Sequence, residues 1–444
     1  MHFIAREAHM NLVNSFAVLL QELAVVMTAP SFENFVVLAT GWVFAPRRTV
    51  TGMLLATGVA GQRHHSAFHR FFSEANWSRD ALGLAVFRLL LPFCDDIVLV
   101  AIDDTLARKR GLKMFGTGMH HDPLLSSRSH VVTNWGHCWV VLGVVVRFPL
   151  WPERPFCLPI LFRLYLNKKR AAKERRAYRS KPELALALLR ILCKHRANRR
   201  FHALADSAYG GQSVLGQLPT NCDLTSRLRL DARLYHAAAP VPKGRKGRPR
   251  KRGPQLPTPQ QMLDERARRV ELCIYGRHEL ARLCDAVARV FALPERPLRI
   301  VAVEALAGGR GREAFYSTRV DATAEQVLTW YASRWSVEVT FHDSKQHLGF
   351  EEPQGWTRRA VERTAPMAML LYSLIVCWYC RVGHHDYCPL PRPWYTSKPH
   401  ESFADMLATL RRRSLRESIS AWAPQGPGSQ KMIKLVEHIL ALAA

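Results

Sequence analysis

An α/β fold is predicted for this chain of 444 residues, with an all-α N-terminal domain before the mixed core and a β-rich insertion inside it. Three observations carry that prediction. Apolar residues recur at helical spacing through the first 92 positions, as in NLVNSFAVLLQELAVV and LLATGVA. From residue 95 onward, β-type apolar runs alternate with helical ones. The stretch between Asp206 and Glu338 is too long for a plain connection in a compact domain, and it contains several strand-like runs. With 48% hydrophobic residues the chain can bury a sizeable core, and its length suits about two to three domains.

The elements follow in order. The N-terminal helical region, residues 1–92, breaks at Ala45-Pro46, and Thr49-Val50-Thr51-Gly52 is a weak signal for the opening of a helix-turn-helix. The first part of the core, 93–220, reads as strands over 97–102, 137–147 and 156–165, a basic helix over 181–196, a strand over 201–205 and a helix over 211–217. Runs around 222–235, 268–275, 298–304 and 314–319 make residues 221–320 the β-rich insertion. The core resumes over 321–390, where Pro366 to Cys380 (PMAMLLYSLIVCWYC) is too short to span a bilayer and is predicted to be a core helix. Residues 391–444 are predicted to be helical.

Chemistry enters where acidic residues end strands. The run IVLVAI leads into Asp103, Asp104 and Thr105, and FHALA leads into Asp206, Ser207 and Ala208. In an α/β sheet, the carboxyl edge of the strands is where ligands bind. A third acid, Glu338, belongs to a set with Tyr331, Arg334 and Lys345 at spacing i, i+3, i+7 and i+14. At about 100° per residue the four share one face of a helix. A stripe with one carboxylate, one aromatic and two cations is poorly explained by packing, which wants apolar residues there. It is better explained by contact with phosphate. The bland alternative is that the aspartates cap helices and Glu338 pairs with Arg334 or His342.

The signature YASRWSVEVTFHDSK (331–345), taken with IDDT (102–105) and ADSAYGG (205–211), resembles the DDE insertion-sequence transposases, which carry a Tyr-(2)-Arg-(3)-Glu-(6)-Lys motif on an RNase H-like core. The resemblance extends over roughly residues 90 to 380. It implies Asp104, Asp206 and Glu338 as catalytic, metal-binding carboxylates, with Tyr331, Arg334 and Lys345 on DNA phosphates. Asp103 competes with Asp104; Asp104 is preferred because family members place the catalytic aspartate immediately before a threonine. Three carboxylates suit two-metal phosphoryl transfer with Mg²⁺, or Mn²⁺ as a substitute. The implied activity is an endonuclease and strand transferase that cuts its element's terminal inverted repeats and joins them to target DNA, as a homodimer in the DNA complex. A hairpin intermediate at the element's end is also suggested by the resemblance.

Composition agrees with a polyanion partner. Sixty-three Lys and Arg against 36 Asp and Glu give a formal charge of +27 and a pI near 10.2. Arg47, Arg48, Arg63, His64, His65, His69 and Arg70 make the helical region basic, so it is read as a DNA-binding domain, against a packing subdomain with a solvated basic face. Within Lys243 to Arg252, seven of ten residues are basic, and Arg248 and Arg250 in Gly-Arg-Pro-Arg resemble a minor-groove hook, against a loop that binds any polyanion. Lys168 to Lys181 forms a further basic cluster that either tracks DNA backbone or is merely solvated. Cys377, Cys380, His384, His385 and Cys388 have zinc-like residue types, but two of them end a strongly apolar run and are read as core. Trp330 and Trp335 are read as core residues rather than stacking platforms, and His342 as a bystander. Ten scattered cysteines suggest a reducing compartment, and no signal pattern stands out, so a cytoplasmic, nucleoid-associated protein without a membrane partner is expected. The competing function classes are a catalytically silent DNA-binding relative and a nuclease that never joins ends.

Overall fold

The computed structural model describes residues 11–127, 129–240, 250–274, 277–306, 311–387 and 400–422. Five helices lead the chain: α1 (Asn14–Gln21), α2 (Ala29–Phe44), α3 (Val50–Thr57), α4 (His65–Ser73) and α5 (Arg79–Leu90). The break expected at Ala45-Pro46 ends α2, because a residue before proline is pushed out of the helical region, and Ala45 is extended with ψ 134°. Thr49 starts α3 by accepting a hydrogen bond from the Gly52 backbone at 3.1 Å.

The core then runs β1 (Ile97–Arg108), β2 (Gly118–His121), β3 (Thr133–Phe148), β4 (Trp151–Tyr165), α6 (Lys168–Lys173), α7 (Lys181–His195), β5 (Arg200–Ala205), α8 (Gln212–Leu215) and β6 (Cys222–Leu228). The insertion follows as β7 (Leu234–Tyr235), β8 (Gln255–Leu256), α9 (Pro259–Arg266), β9 (Arg268–Ile274), β10 (Arg277–Val290), β11 (Leu293–Ala305) and β12 (Arg312–Ser317). Four helices close the described chain: α10 (Ala324–Ser333), α11 (Ser336–Leu348), α12 (Arg358–Arg381) and α13 (Phe403–Trp422).

Core and insertion share one sheet. Among the described residues its order is β2-β3-β1-β5-β6-β12-β11-β10-β7-β8, with β4 also on β3 and β9 also on β10. β1 is antiparallel to β3 and parallel to β5, and β5 is parallel to β6. The insertion joins through the antiparallel pair β6 and β12, so it extends the core sheet instead of forming a sheet of its own. Cys222–Leu228, at the start of the β-rich stretch, therefore serves as the last parallel strand of the core.

Two details differ from the sequence reading in ways that bear on the site. The strand expected to stop at Ile102 continues to Arg108, because antiparallel pairing with β3 persists through Arg108 opposite Gly136. Asp103 and Asp104 therefore lie within β1, just where its parallel neighbour β5 ends at Ala205 opposite Ile102. The apolar segment 366–380 is the buried part of a longer helix, Arg358–Arg381, in which 89% of an 18-residue apolar window is buried inside the protein. Pro366 sits inside this helix and cannot donate to the carbonyl of Glu362. The Arg79 guanidinium takes that carbonyl at 3.1 Å.

Close packing on the sheet constrains α5 as well. A Cβ on Gly83 would lie 1.8 Å from the Ile160 carbonyl oxygen of β4, so only glycine permits this approach.

Candidate active site

On a strand, successive side chains point to opposite faces. Asp103 and Asp104 therefore part company. Asp103 accepts a 2.8 Å hydrogen bond from Arg334 Nη1, and Arg334 Nη2 donates to Glu338 Oε1 at 2.9 Å. One buried guanidinium thus bridges Asp103 and Glu338. Asp104 turns toward α7, where Lys181 Nζ reaches its Oδ2 at 2.6 Å, the Cys138 thiol lies 3.3 Å from the same oxygen, and Tyr209 Oη donates to Oδ1 at 2.5 Å.

Asp206 follows β5 and opens a tight turn in which its Oδ1 accepts from the backbone N–H of Ala208 at 2.9 Å and of Tyr209 at 3.3 Å. The same turn delivers the fully buried Tyr209 side chain to Asp104. The motif ADSAYGG thereby places one carboxylate at the sheet edge and ties the turn that carries it to β1.

The helix expected to hold the whole Tyr-Arg-Glu-Lys set is divided. Backbone bonds shorten to i, i−3 steps at Arg334, Trp335, Val337 and Glu338, which separates α10 from α11. Tyr331 ends up on α10, Arg334 at the junction, and Glu338 and Lys345 on α11. Arg334 still reaches back, its guanidinium carbon 5.4 Å from the Tyr331 ring centroid, while that ring packs 4.5 Å from Phe315. Lys345 lies about 10 Å farther along the helix axis than Glu338, as seven residues at 1.5 Å rise require. It is half-buried, in the field of Glu351, Arg108 and Asp122.

α11 is held at its far end by the N-terminal helices. Gly349 terminates it at φ 59°, a left-handed conformation that favours glycine. Of its last carbonyls, Leu348 accepts from Trp42 Nε1 and His347 from Arg48 Nη2, both at 2.7 Å. The first turn of α11 is tied as well, with Thr340 Oγ1 donating to the Cys157 carbonyl of β4 at 2.7 Å. These contacts set the rotation and height of Glu338 over β1.

Electrostatics at the carboxylates follow from burial. Desolvation pushes Asp103 up to about 7; Arg334 opposes the rise, and Asp206 and Asp104 add to it. Burial also raises Asp206, against the hydrogen bonds from Ala208 and Tyr209 and the pull of Arg334. Burial lowers Arg334, but Asp103, Tyr331 and Glu338 outweigh it and hold the guanidinium charged.

Three carboxylate side chains, all hard oxygen donors, suit a divalent cation of the magnesium type. Among the described residues no three His, Cys, Asp or Glu side chains stand together in a metal-holding arrangement. Arg334 supplies the positive charge between Asp103 and Glu338, whose side chain is 36% exposed and stands on the open side of α11.

Other sequence expectations have definite places. Arg250, within the basic run, is exposed, whereas Arg248 and most of that run lie outside the described residues. His342 is exposed beside Asp343, and Trp335 is 52% exposed instead of core. Cys377 is fully buried, and Cys388 lies outside the described residues. Sequence reading missed Lys181, Cys138 and Tyr209 as partners of Asp104. The strand alternation of two adjacent aspartates was the available signal.

Comparison with known families places a DDE superfamily endonuclease match over residues 34–277, a span that holds Asp103, Asp104 and Asp206 and ends before α10. Among solved structures, a piggyBac transposase in a synaptic complex with hairpin DNA is similar at 10% identity and a TM-score of 0.42, covering 91% of this chain and 75% of that one. No curated protein matches this chain.

Proposed function

The chain belongs to the DDE superfamily endonucleases, and from that premise we propose that it is a transposase that cleaves the ends of its own insertion element and joins them to target DNA by two-metal-ion phosphoryl transfer. The observation that carries the reading is the Asp103–Arg334–Glu338 bridge beside Asp206. Asp103, Asp206 and Glu338 would hold Mg²⁺, with Mn²⁺ as a substitute. When bound, the ions activate the attacking oxygen and stabilise the leaving one.

Geometry favours Asp103 over Asp104 as the first carboxylate. Asp104 already has both oxygens committed, one to Tyr209 and the other to Lys181 and Cys138. Its role is positioning, since it joins β1, α7 and the turn that carries Asp206. Asp103 and Glu338, by contrast, face the same cation. Arg334 pairs with both carboxylates, and were a metal to bind between them its guanidinium would be released for bidentate phosphate contact. Tyr331 supports that guanidinium from α10, and Lys345 supplies a second phosphate contact along α11. The partners are duplex DNA, namely the element's terminal inverted repeats and target DNA, bound by a homodimer.

The test is cleavage and joining of labelled element-end DNA with Mg²⁺, comparing wild type with Glu338→Ala. Wild type should nick the end and transfer it to a target plasmid, and the variant should bind the end without cutting. Full cleavage by Glu338→Ala sinks the assignment. Cutting without joining makes the protein a nuclease, and binding without cutting by wild type makes it a silent DNA-binding relative.

A further inference from the structure

The segment between β4 and α7 is cationic, preordered and adjacent to Asp104. Its first turn, α6, is capped by Asn167, whose Oδ1 accepts from Arg170 N at 2.9 Å. Arg170 points inward, donating to the Met114 carbonyl at 2.7 Å and pairing with Glu174 at 2.9 Å, and Ala171 is buried beneath it. With those two anchored, Lys168, Lys169 and Lys173 are left exposed. The chain then reverses at Arg175, which is left-handed at φ 52°, and Arg176 N bonds back to the Ala171 carbonyl at 2.9 Å. A capping box between Ser180 and Glu183 starts α7 immediately afterward.

The exposed cations of this corner have few acidic partners. Lys168, Lys169, Lys173, Arg175 and Arg176 make no ion pair with a carboxylate among the described residues. Lys168 stands over the exposed Tyr178 ring at 5.5 Å, Lys181 over Tyr165 at 5.6 Å, and the two rings meet edge to face at 6.4 Å. Lys181 in turn pairs with Asp104 on β1, next to Asp103. A concentration of unpaired positive charge repels itself, and a bound polyanion relieves that repulsion.

We infer that the α6–α7 corner is a duplex-DNA docking surface that carries the backbone flanking the scissile phosphate along the Asp104 side of β1. The inference rests on the nuclease reading for the identity of the phosphate at the carboxylates. Its own content is the surface and its partner. Backbone contact of this kind positions DNA without reading its sequence.

The test uses the full chain with a triple variant, Lys169→Ala, Lys173→Ala and Arg176→Ala, and a control triple, Arg88→Ala, Arg190→Ala and Lys194→Ala, on α5 and α7. Binding to a long random-sequence duplex is followed by fluorescence anisotropy across a salt series without Mg²⁺. Each phosphate contact contributes roughly 0.9 to the slope of log affinity against log salt, so the corner triple should reduce the slope by about 2 to 3, and the control by less than 1. An unchanged slope in the corner triple, or an equal drop in the control, overturns the proposal. Tighter binding of a single strand than of the duplex overturns the duplex assignment. Because binding is read without metal, failure of the nuclease reading leaves this result intact, and a flat slope leaves cleavage by Glu338 untouched.

Discussion

Metal affinity should fall about tenfold between pH 8 and pH 6, and Asp103 is the reason. Its carboxyl is buried beside Asp206 and Asp104 and titrates at about 7 in spite of Arg334. A metal ion needs the carboxylate, so below that value it must displace a proton. With a midpoint at 7, about 91% of the group is ionised at pH 8 and about 9% at pH 6, a difference of roughly 1.4 kcal/mol in binding. Asp206, also raised by burial, acts in the same direction. The sign reverses for folding: a carboxyl held above its ordinary range stabilises the metal-free fold at low pH, and that contribution is lost as pH rises through 7. The assay is calorimetric titration of Mn²⁺ into wild type, Asp103→Asn and Asp104→Asn at both pH values. Wild type and Asp104→Asn should show the drop, while Asp103→Asn should bind weakly and without it. Equal wild-type affinity at the two pH values, or a drop that survives in Asp103→Asn and disappears in Asp104→Asn, would refute the assignment of Asp103.

Three further outcomes are expected. Arg334→Ala removes the cation that opposes the rise of Asp103, so the midpoint of metal binding should move above 7; a downward shift in the same titration would contradict the bridge. Tyr209→Phe leaves the half-buried Asp104 short of one donor and should cost about 1.5 to 3 kcal/mol, the range for hydrogen bonds to charged groups, read as a lower urea midpoint. No change there would mean that Asp104 is satisfied without Tyr209. Gly83→Ala sets two effects against each other. Alanine improves helix propensity by about 1 kcal/mol, whereas a Cβ at 1.8 Å from the Ile160 oxygen forces α5 off β4, at a typical overpacking cost of about 1 to 3 kcal/mol. A lower melting temperature is expected, and a rise would show that α5 can shift freely.

Much of the architecture was legible because local signals agree with the tertiary outcome. The Ala45-Pro46 break, the apolar strands and the basic helix α7 are decided within a few residues of chain. The candidate carboxylates were legible as residues too, since Asp103, Asp104, Asp206 and Glu338 stand beside recognisable strand and helix patterns. Chain position alone did not separate Asp103 from Asp104. Their separation depends on which face α11 covers and which face presents Lys181, a matter of three-dimensional packing between segments far apart in sequence.

The sequence by itself determined the α/β class, the helical N-terminus, the acidic and cationic residue set and the strongly basic balance, because propensity, periodicity and charge are properties of neighbouring residues. Tertiary structure decided that the insertion prolongs the core sheet through β6 and β12, that β1 runs on past its aspartates, and that the signature helix divides at Arg334. Strand pairing and the burial of a charge against a distant partner are long-range terms, absent from any local window. Arg334 shows the difference: its residue type was visible at once, but its place between Asp103 and Glu338 exists only when β1 and α11 meet.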